Sequence, residues 1–339
     1  MSDADPRLAL VRAWVEELKL AATRIEPASS DASFRRYFRV FHPAGSLIVM
    51  DAPPGREDVR PYLAVTALLE SLGAHVPRVH EADVERGLLL LEDLGTRPYL
   101  PELSSLARAQ SLYGDALAVL ADIQAHGGAA ARQLPPYDRG VLAREMALMP
   151  EWFCARHLGL ELSGTEHETL AQAAEVLIEN ALAQPQVFVH RDYHSRNLMI
   201  TSERSPGIID FQDALYGPLG YDLVSLLKDC YIGWPRSQVE AWVRSHAGLL
   251  RARGMDVDAP ALLAGFDLIG VQRHLKVLGI FARLWYRDGK AGYLKDLPLT
   301  LHYVTDTCAR HPQLAALGRL LQLRVVPELP RANARVLGT

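Results

Sequence analysis

Residues 187–216 read VFVHRDYHSRNLMITSERSPGIIDFQDALY. The stretch contains the pattern His-x-Asp-x-x-x-x-Asn, followed after a turn by two apolar residues, Asp and Phe. Apolar triplets at 187–189 and 198–200 flank a polar loop, and a third apolar segment follows the turn. This alternation predicts a strand, a loop, a second strand, a turn and a third strand. We therefore expect Asp192, Asn197 and Asp210 at strand ends.

These residue types suit phosphoryl transfer. A hydroxyl acceptor needs a carboxylate to orient it and take its proton, and ATP needs Mg²⁺ held by hard oxygen ligands. Asp192 fits the first role, while Asn197 and Asp210 fit the second. His190 is expected to brace the loop by hydrogen bonds. A solvated turn is the alternative, but the whole pattern arises by chance in fewer than about one in a thousand such chains.

The stretch resembles the catalytic and metal-binding segments of the aminoglycoside phosphotransferase-like kinases, a superfamily that includes choline and sugar kinases. Its continuation, residues 210–229, reads DFQDALYGPLGYDLVSLLKD. Within the superfamily this is similar to bacterial kinases that phosphorylate the anomeric hydroxyl of N-acetylmuramate or N-acetylglucosamine in peptidoglycan recycling. The resemblance implies ATP and Mg²⁺ as cofactors and a small-molecule sugar as partner.

The resemblance also implies a bilobal α+β fold like that of eukaryotic protein kinases, with ATP held between the lobes. A small antiparallel-sheet lobe that binds the nucleotide is expected over residues 1–95. A large helical lobe with the catalytic loop and the acceptor site is expected over residues 102–339. The hinge is expected at about residues 92–101, where Gly and Pro interrupt the apolar pattern.

Composition excludes several other classes of function. The 339 residues are 49% hydrophobic, which is enough for a sizeable core. The net charge of −4 does not indicate the basic surface that binds nucleic acid. No apolar run approaches the ~18 residues of a membrane span, and the start, MSDADPRLAL, is acidic. The widely spaced Cys154, Cys230 and Cys308 predict core thiols in a reducing compartment. A cytoplasmic location follows as an expectation.

The phosphate-binding residues are expected at the start of a β-hairpin. After Pro27, two strand-like runs flank a Pro-Ala-Gly-Ser turn, and the turn before them would cover the ATP phosphates, with contacts from Ser30 and Ser33. The family usually carries a Lys on the second strand, but residues 47–51 read LIVMD. Arg35 or Arg36 is therefore the expected cation, because a guanidinium also binds phosphate.

The remaining site residues are assigned by position. In the resembling kinases, backbone groups of the hinge pair with adenine, which points to Glu92, Asp93 and Leu94. Glu151 precedes two aromatic residues. This segment either faces the sugar or, equally, forms a buried aromatic helix cap. Asp213, three residues past the metal ligand, is expected on the acceptor side.

A long helix is predicted over residues 267–287, and such a helix ordinarily exposes its cations. Arg273 or His274 instead approaches the acceptor if the acceptor carries a carboxylate. Asp222, near the start of a preceding helix, is expected to have a structural role in bracing the active-site loop.

Two rival functions remain open at this point. The first is an aminoglycoside kinase or another small-alcohol phosphotransferase, for which a polycationic acceptor would require a strongly acidic pocket. The second is a catalytically inactive, nucleotide-binding pseudokinase, suggested by the absence of the strand Lys. The presence of both expected metal ligands and the expected base argues against it.

Overall fold

The computed structural model of the chain describes residues 5–30 and 34–338. The chain divides into two compact units. The first comprises Met1–Ser104 and Arg196–Asp213, and the second comprises Ser105–Ser195 and Ala214–Thr339. The sequence places the boundary near residue 95, whereas the first unit extends to residue 104 and also takes in the segment that contains Asn197 and Asp210.

The first unit is built on an antiparallel five-stranded sheet with the strand order β1-β2-β3-β5-β4. The strands are β1 (Arg24–Ser30), β2 (Arg36–His42), β3 (Gly45–Asp51), β4 (Val79–Asp83) and β5 (Leu88–Glu92). The predicted hairpin is β2–β3, closed where His42 pairs with Gly45. Strands β4 and β5 form a further antiparallel pair. The predicted antiparallel sheet is confirmed, whereas strand β1, which pairs with β2, was not predicted.

Helix α1 (Pro6–Glu17) covers one face of this sheet. Asp5 caps its start, since the side chain accepts hydrogen bonds from the backbone N–H groups of Arg7 and Leu8 at 3.0 and 3.2 Å. Alternate residues of β2 point inward, as the period of a strand requires. The resulting core joins Val11, Trp14, Val15, Phe38, Val40, Val49, Leu88 and Leu90.

The segment 196–213 joins the first unit through strands β7 (Leu198–Met199) and β8 (Gly207–Ile208), which pair with each other. The N–H of Ile208 donates to the carbonyl of His75 at 2.8 Å. Gly207 packs against Leu94 so closely that a Cβ atom would lie 2.8 Å from Leu94 Cδ1. The rings of Phe211 and of Tyr62 on helix α2 (Arg60–Ser71) pack with their centroids 4.8 Å apart and their planes tilted by 35°. A short helix α3 (Tyr99–Glu102) completes this unit.

The second unit is mainly helical, with one two-stranded sheet of β6 (Gln186–Val189) and β9 (Leu215–Pro218). Its α-helices are α4 (Leu106–His126), α5 (Gly128–Ala131), α6 (Arg139–Met146), α7 (Gly164–Ala183), α8 (Gly220–Leu227), α9 (Arg236–Ala252), α10 (Ala259–Asp288), α11 (Leu297–Arg310), α12 (Ala315–Leu320) and α13 (Leu329–Leu337). Short 3₁₀ or π-helical segments are Met149–Leu158, Ala291–Asp296, Pro312–Leu314 and Leu321–Val325. Within the described ranges, no helix combines the length and apolar composition that a bilayer crossing requires.

Helix α10 is the central helix of this unit. The burial of its cations differs from what the sequence predicts. Its cations were expected to be exposed, but Arg273, His274 and Lys276 are 3%, 1% and 7% exposed. They are tolerated in the interior because polar and charged groups from distant segments meet them there, as described below. Cys154, Cys230 and Cys308 are free and buried, which confirms their assignment as core thiols.

Candidate active site

The loop predicted to carry the chemistry connects β6 to β7. Asp192 lies three residues after β6, in the second unit. Asn197 immediately precedes β7, and Asp210 follows β8 by two residues, both in the first unit. The predicted order of strand, loop, strand, turn and strand is therefore confirmed. β6 pairs with β9, and the shorter β7 and β8 pair with each other.

The backbone around Asp192 is fixed by local hydrogen bonds. The N–H of Asp192 donates to His190 Nδ1 at 3.2 Å, so His190 braces the loop as predicted. The N–H of His194 donates to the carbonyl of Asp192 at 2.9 Å. The hydroxyl of the buried Tyr193 donates to the carbonyl of Ala116 at 2.9 Å, which ties the loop to α4. These bonds orient Asp192 within the loop.

Asp222 anchors the residues that precede Asp192. The N–H groups of His190 and Arg191 donate to its two carboxylate oxygens at 2.6 and 2.9 Å. Burial raises the pKa of Asp222 to about 7, although these two bonds act in the opposite direction. Arg191 has a φ of 78°, a left-handed conformation that is uncommon for a residue other than glycine. The predicted structural role of Asp222 is confirmed by these contacts.

Positive charges surround the carboxylate of Asp192. Desolvation by the surrounding protein raises its pKa, but His194, Lys276 and Arg273 lower it more, and the net pKa lies below the ordinary value of an aspartate. Asp192 is therefore ionised at neutral pH. An ionised carboxylate accepts a hydrogen bond from a hydroxyl group and can take its proton during the reaction.

Glu145 organises part of this charge and was missed by the sequence analysis. Its carboxylate accepts hydrogen bonds from Arg191 at 2.6 Å, from Gln272 at 3.2 Å and from the hydroxyl of Tyr137, and it pairs with Lys276 at 2.8 Å. Glu145 is buried, so these partners are needed to stabilise its charge. They come from three separate segments, since Gln272 and Lys276 share α10, and the sequence around Glu145 carries no signal of them.

Asn197 and Asp210 lie together in the first unit. Asn197 Nδ2 is 3.4 Å from Asp210 Oδ2, and the amide of Gln212 donates to Asp210 Oδ1 at 2.8 Å. An amide and a carboxylate supply the hard oxygen ligands that Mg²⁺ prefers, so the two residues fit this ion. Among the described residues, no group of three or more His, Cys, Asp or Glu side chains could hold a metal.

The two candidate arginines have different surroundings. Arg35 Nη2 lies 3.8 Å from Asp213 Oδ2 and 4.0 Å from Asp210 Oδ1, and Nη1 lies 3.5 Å from Glu57 Oε2. Arg35 is thus directed at the expected metal ligand. Arg36 instead donates to Asp51 at 2.7 Å and to the α1-capping residue, Asp5.

The other ATP-binding candidates fall on strand ends. Ser30 is the last residue of β1, and Ser33 lies outside the described residues. Glu92 ends β5. The Asp93 side chain accepts hydrogen bonds from Arg39, Ser46 and the N–H of Gly95, so it stabilises the connection after β5. Leu94 packs on Gly207, as described above.

The acceptor candidates are dispersed. Glu151 is exposed in the π-helical segment, next to the buried Phe153, and Asp213 lies near Arg35. Arg273 Nη1 donates to Cys230 Sγ at 3.6 Å, and His274 Nε2 contacts the carbonyl of Lys228 at 2.9 Å. Both α10 residues are buried, and their contact with an acceptor stays a prediction.

Comparison with known proteins adds independent evidence to this geometry. Residues 24–263, which include the loop and both expected metal ligands, match the model of the phosphotransferase enzyme family. The chain belongs to this family. It is therefore a phosphotransferase, as the pattern in residues 187–216 predicts, and the alcohol-directed kinases it resembles are its relatives.

Two curated relatives match this phosphotransferase along nearly its whole length, and both are called N-acetylmuramate/N-acetylglucosamine kinase. The protein from Pseudomonas aeruginosa is 47% identical over 323 residues, covering 93% of this chain and 92% of its own. The protein from Pseudomonas putida is 44% identical over 334 residues, covering 95% and 97%. The predicted resemblance to amino-sugar kinases is confirmed.

A solved structure supports the fold. The ADP-bound aminoglycoside phosphotransferase APH(2'')-Ib has a TM-score of 0.58 to this phosphotransferase, covering 90% of this chain and 99% of its own at 16% sequence identity. At this identity the likeness concerns the fold alone. The predicted α+β, protein-kinase-like fold is confirmed.

Proposed function

We propose that this phosphotransferase is an ATP- and Mg²⁺-dependent sugar kinase that phosphorylates the anomeric hydroxyl of N-acetylmuramate or N-acetylglucosamine. The observation that carries the proposal is the 44–47% identity, over more than nine tenths of the chain, to proteins named for kinase activity on these two sugars. A cytoplasmic location, where ATP is supplied, is part of the proposal.

Asp192 is the proposed base. It orients the sugar hydroxyl and takes its proton as the hydroxyl oxygen bonds to the γ phosphorus of ATP. The bond from that phosphorus to the bridging oxygen breaks, and ADP leaves. Cations around Asp192 keep it ionised before the reaction, so it is ready to accept the hydroxyl hydrogen bond.

Asn197 and Asp210 are the proposed ligands of Mg²⁺. When bound, Mg²⁺ offsets the negative charge on the phosphate oxygens. Gln212 fixes one oxygen of Asp210 and leaves the other towards Asn197, which favours a defined ligand geometry. Asp210 has a φ of 64°, and such a left-handed conformation in a non-glycine residue is often retained at functional sites.

Arg35 is the proposed replacement for the strand Lys. Its guanidinium lies 4.0 Å from Asp210, a proposed metal ligand, and Glu57 is placed to orient it. Arg36 is engaged with Asp51 and Asp5, which favours Arg35 over Arg36 as the phosphate-binding cation. Ser30 and Ser33 remain proposed contributors to the phosphate-binding turn.

The backbone of residues 92–94 is proposed to bind adenine. Asp93 supports this role because its side chain stabilises the local backbone through Arg39, Ser46 and Gly95. Glu151 and Asp213 remain proposed acceptor-side residues, since both are exposed carboxylates that could accept hydrogen bonds from sugar hydroxyls.

Two experiments test the proposal. Phosphate transfer from ATP should be measured against N-acetylmuramate, N-acetylglucosamine, aminoglycosides and choline, and turnover of the last two alone would contradict the amino-sugar assignment. Asp192→Asn should lower kcat by about 10²- to 10⁴-fold and leave ATP affinity nearly unchanged. A variant that keeps full turnover would remove Asp192 from the role of base, and a wild-type chain without any turnover would favour the pseudokinase.

A further inference from the structure

The loop that carries Asp192 is held at both ends by residues of a single helical segment. Near the start of α8, Asp222 accepts the N–H groups of His190 and Arg191, as described above. Just beyond the end of α8, Asp229 Oδ2 accepts the N–H of Ser195 at 3.0 Å and also the hydroxyl of Ser195. Asp192 lies between these two anchors.

We propose that Asp229 is a positioning residue for Asp192 and acts through Ser195. The inference rests on the proposed role of Asp192 as the base of the phosphoryl transfer. Asp229 does not touch the reacting atoms in this proposal. It fixes the loop backbone three residues after Asp192, and so fixes the direction of the Asp192 carboxylate.

The contacts of Asp229 are suited to holding a fixed geometry. Ser195 and Asp229 are 0% and 1% exposed, so water does not compete for their hydrogen bonds. The second carboxylate oxygen of Asp229 accepts the N–H of Tyr231 at 3.1 Å. Because both oxygens are engaged, rotation of the carboxylate would break a bond at either end.

The conformation of the loop needs such an anchor. Arg191, directly before Asp192, is held at a φ of 78°. A non-glycine residue in this region is strained and persists only where several contacts determine the backbone. Asp222 supplies contacts on one side of Asp192. The bond from His194 N–H to the Asp192 carbonyl links it to the other side, where Ser195 and Asp229 provide the next anchor.

Arg273 of α10 completes the arrangement. Its buried guanidinium interacts electrostatically with both Asp192 and Asp229, and it donates to Cys230, the residue after Asp229. A buried carboxylate such as Asp229 requires a nearby positive charge, and Arg273 provides it. These contacts account for an arginine in the interior of the second unit, where the sequence predicts exposed cations on α10.

The test compares matched variants of the full chain at saturating Mg-ATP with N-acetylglucosamine as acceptor. Ser195→Ala removes one bond and should lower kcat about tenfold, and Asp229→Asn should lower it about a hundredfold, because small misplacements of a reacting group cost about this much. The KM for ATP should stay within about twofold for both. Thr307→Ala is the control, since this buried hydroxyl bonds Lys228 at 3.2 Å outside the loop. It should lower the melting temperature and leave kcat unchanged.

The double variant Ser195→Ala/Asp229→Asn should be no slower than Asp229→Asn alone, because both changes interrupt the same connection. Full kcat in both Ser195→Ala and Asp229→Asn, together with an inactive Asp192→Asn, would overturn the positioning role of Asp229. The role of Asp192 as the base would then still stand. Full kcat in Asp192→Asn would overturn the base and this inference with it. Should Asp229→Asn fail to fold, Ser195→Ala decides alone, and unchanged kcat there refutes the proposal.

Discussion

Replacing Arg35 by alanine should weaken ATP binding, whereas replacing its neighbour Arg36 should destabilise the fold and leave ATP binding unchanged. The structure separates these adjacent residues clearly. Arg35 is directed at Asp210, the proposed metal ligand, across 4.0 Å. Arg36 donates to Asp51, which is fully buried, at 2.7 Å.

The expected magnitudes follow from these contacts. A hydrogen bond to a charged group contributes about 1.5–3 kcal/mol, so loss of the Arg35–phosphate contact should raise the KM for ATP about 10- to 100-fold. Loss of Arg36 should lower the free energy of unfolding by about 1–2 kcal/mol, less than for an isolated buried charge. The reason is that Arg7 also donates to Asp51, at 2.9 Å, and continues to neutralise it.

Steady-state kinetics with varied ATP measure the change in KM, and calorimetric titration with Mg-ADP separates nucleotide binding from catalysis. Denaturant unfolding measures the change in the free energy of unfolding. Arg35→Lys is a useful third variant, because it keeps the charge and loses the planar geometry, and should recover part of the affinity. The reasoning is refuted if Arg36→Ala raises the KM for ATP as much as Arg35→Ala does. An unchanged KM in Arg35→Ala would mean that another cation binds the phosphates.

Two further predictions concern metal and pH. Asp210→Asn should raise the Mg²⁺ concentration for half-maximal velocity at least about tenfold, in a Mg²⁺ titration at fixed ATP, because a charged ligand is lost; an unchanged titration would remove Asp210 from the metal site. Burial lowers the pKa of His246 to about 3. The unfolded chain, with a histidine pKa of about 6.5, then binds more protons below pH 6.5, so the free energy of unfolding falls on acidification, by about 2 kcal/mol at pH 5 from this residue. Urea unfolding of His246→Gln should show a shallower loss between pH 7.5 and 5, and an equal slope would contradict the assignment.

Much of the site could be predicted because its chemistry is local in the sequence. Asp192, Asn197 and Asp210 lie within 19 consecutive residues, where short strands and one loop determine their order. The β2–β3 hairpin could also be predicted, because an alternating apolar pattern on both sides of a turn is compatible with few other structures. The sequence could not distinguish Arg35 from Arg36 as the phosphate-binding cation. Alternation places the two residues on opposite faces of a strand but does not indicate which face meets the phosphates.

The missed residues depend on contacts between distant parts of the chain. Glu145 meets Lys276, and Ser195 meets Asp229, and neither pair leaves a periodic pattern. Helix α10 was predicted correctly as a helix, but the burial of Arg273 and His274 was not, because it depends on partners from other elements. Propensity and periodicity describe one segment at a time, whereas a buried charge is explained only by its partner.

The composition of the first unit from two separated segments has a consequence for protein synthesis. On the ribosome, residues 1–104 emerge long before residues 196–213, with residues 105–195 made in between. During this interval, the nascent segment therefore lacks the contacts of Gly207 with Leu94, after β5, and of Phe211 with Tyr62, on α2. A protein truncated after residue 104 would expose that apolar surface permanently and would be prone to aggregation. Expression of the first unit by itself requires a linker that restores residues 196–213.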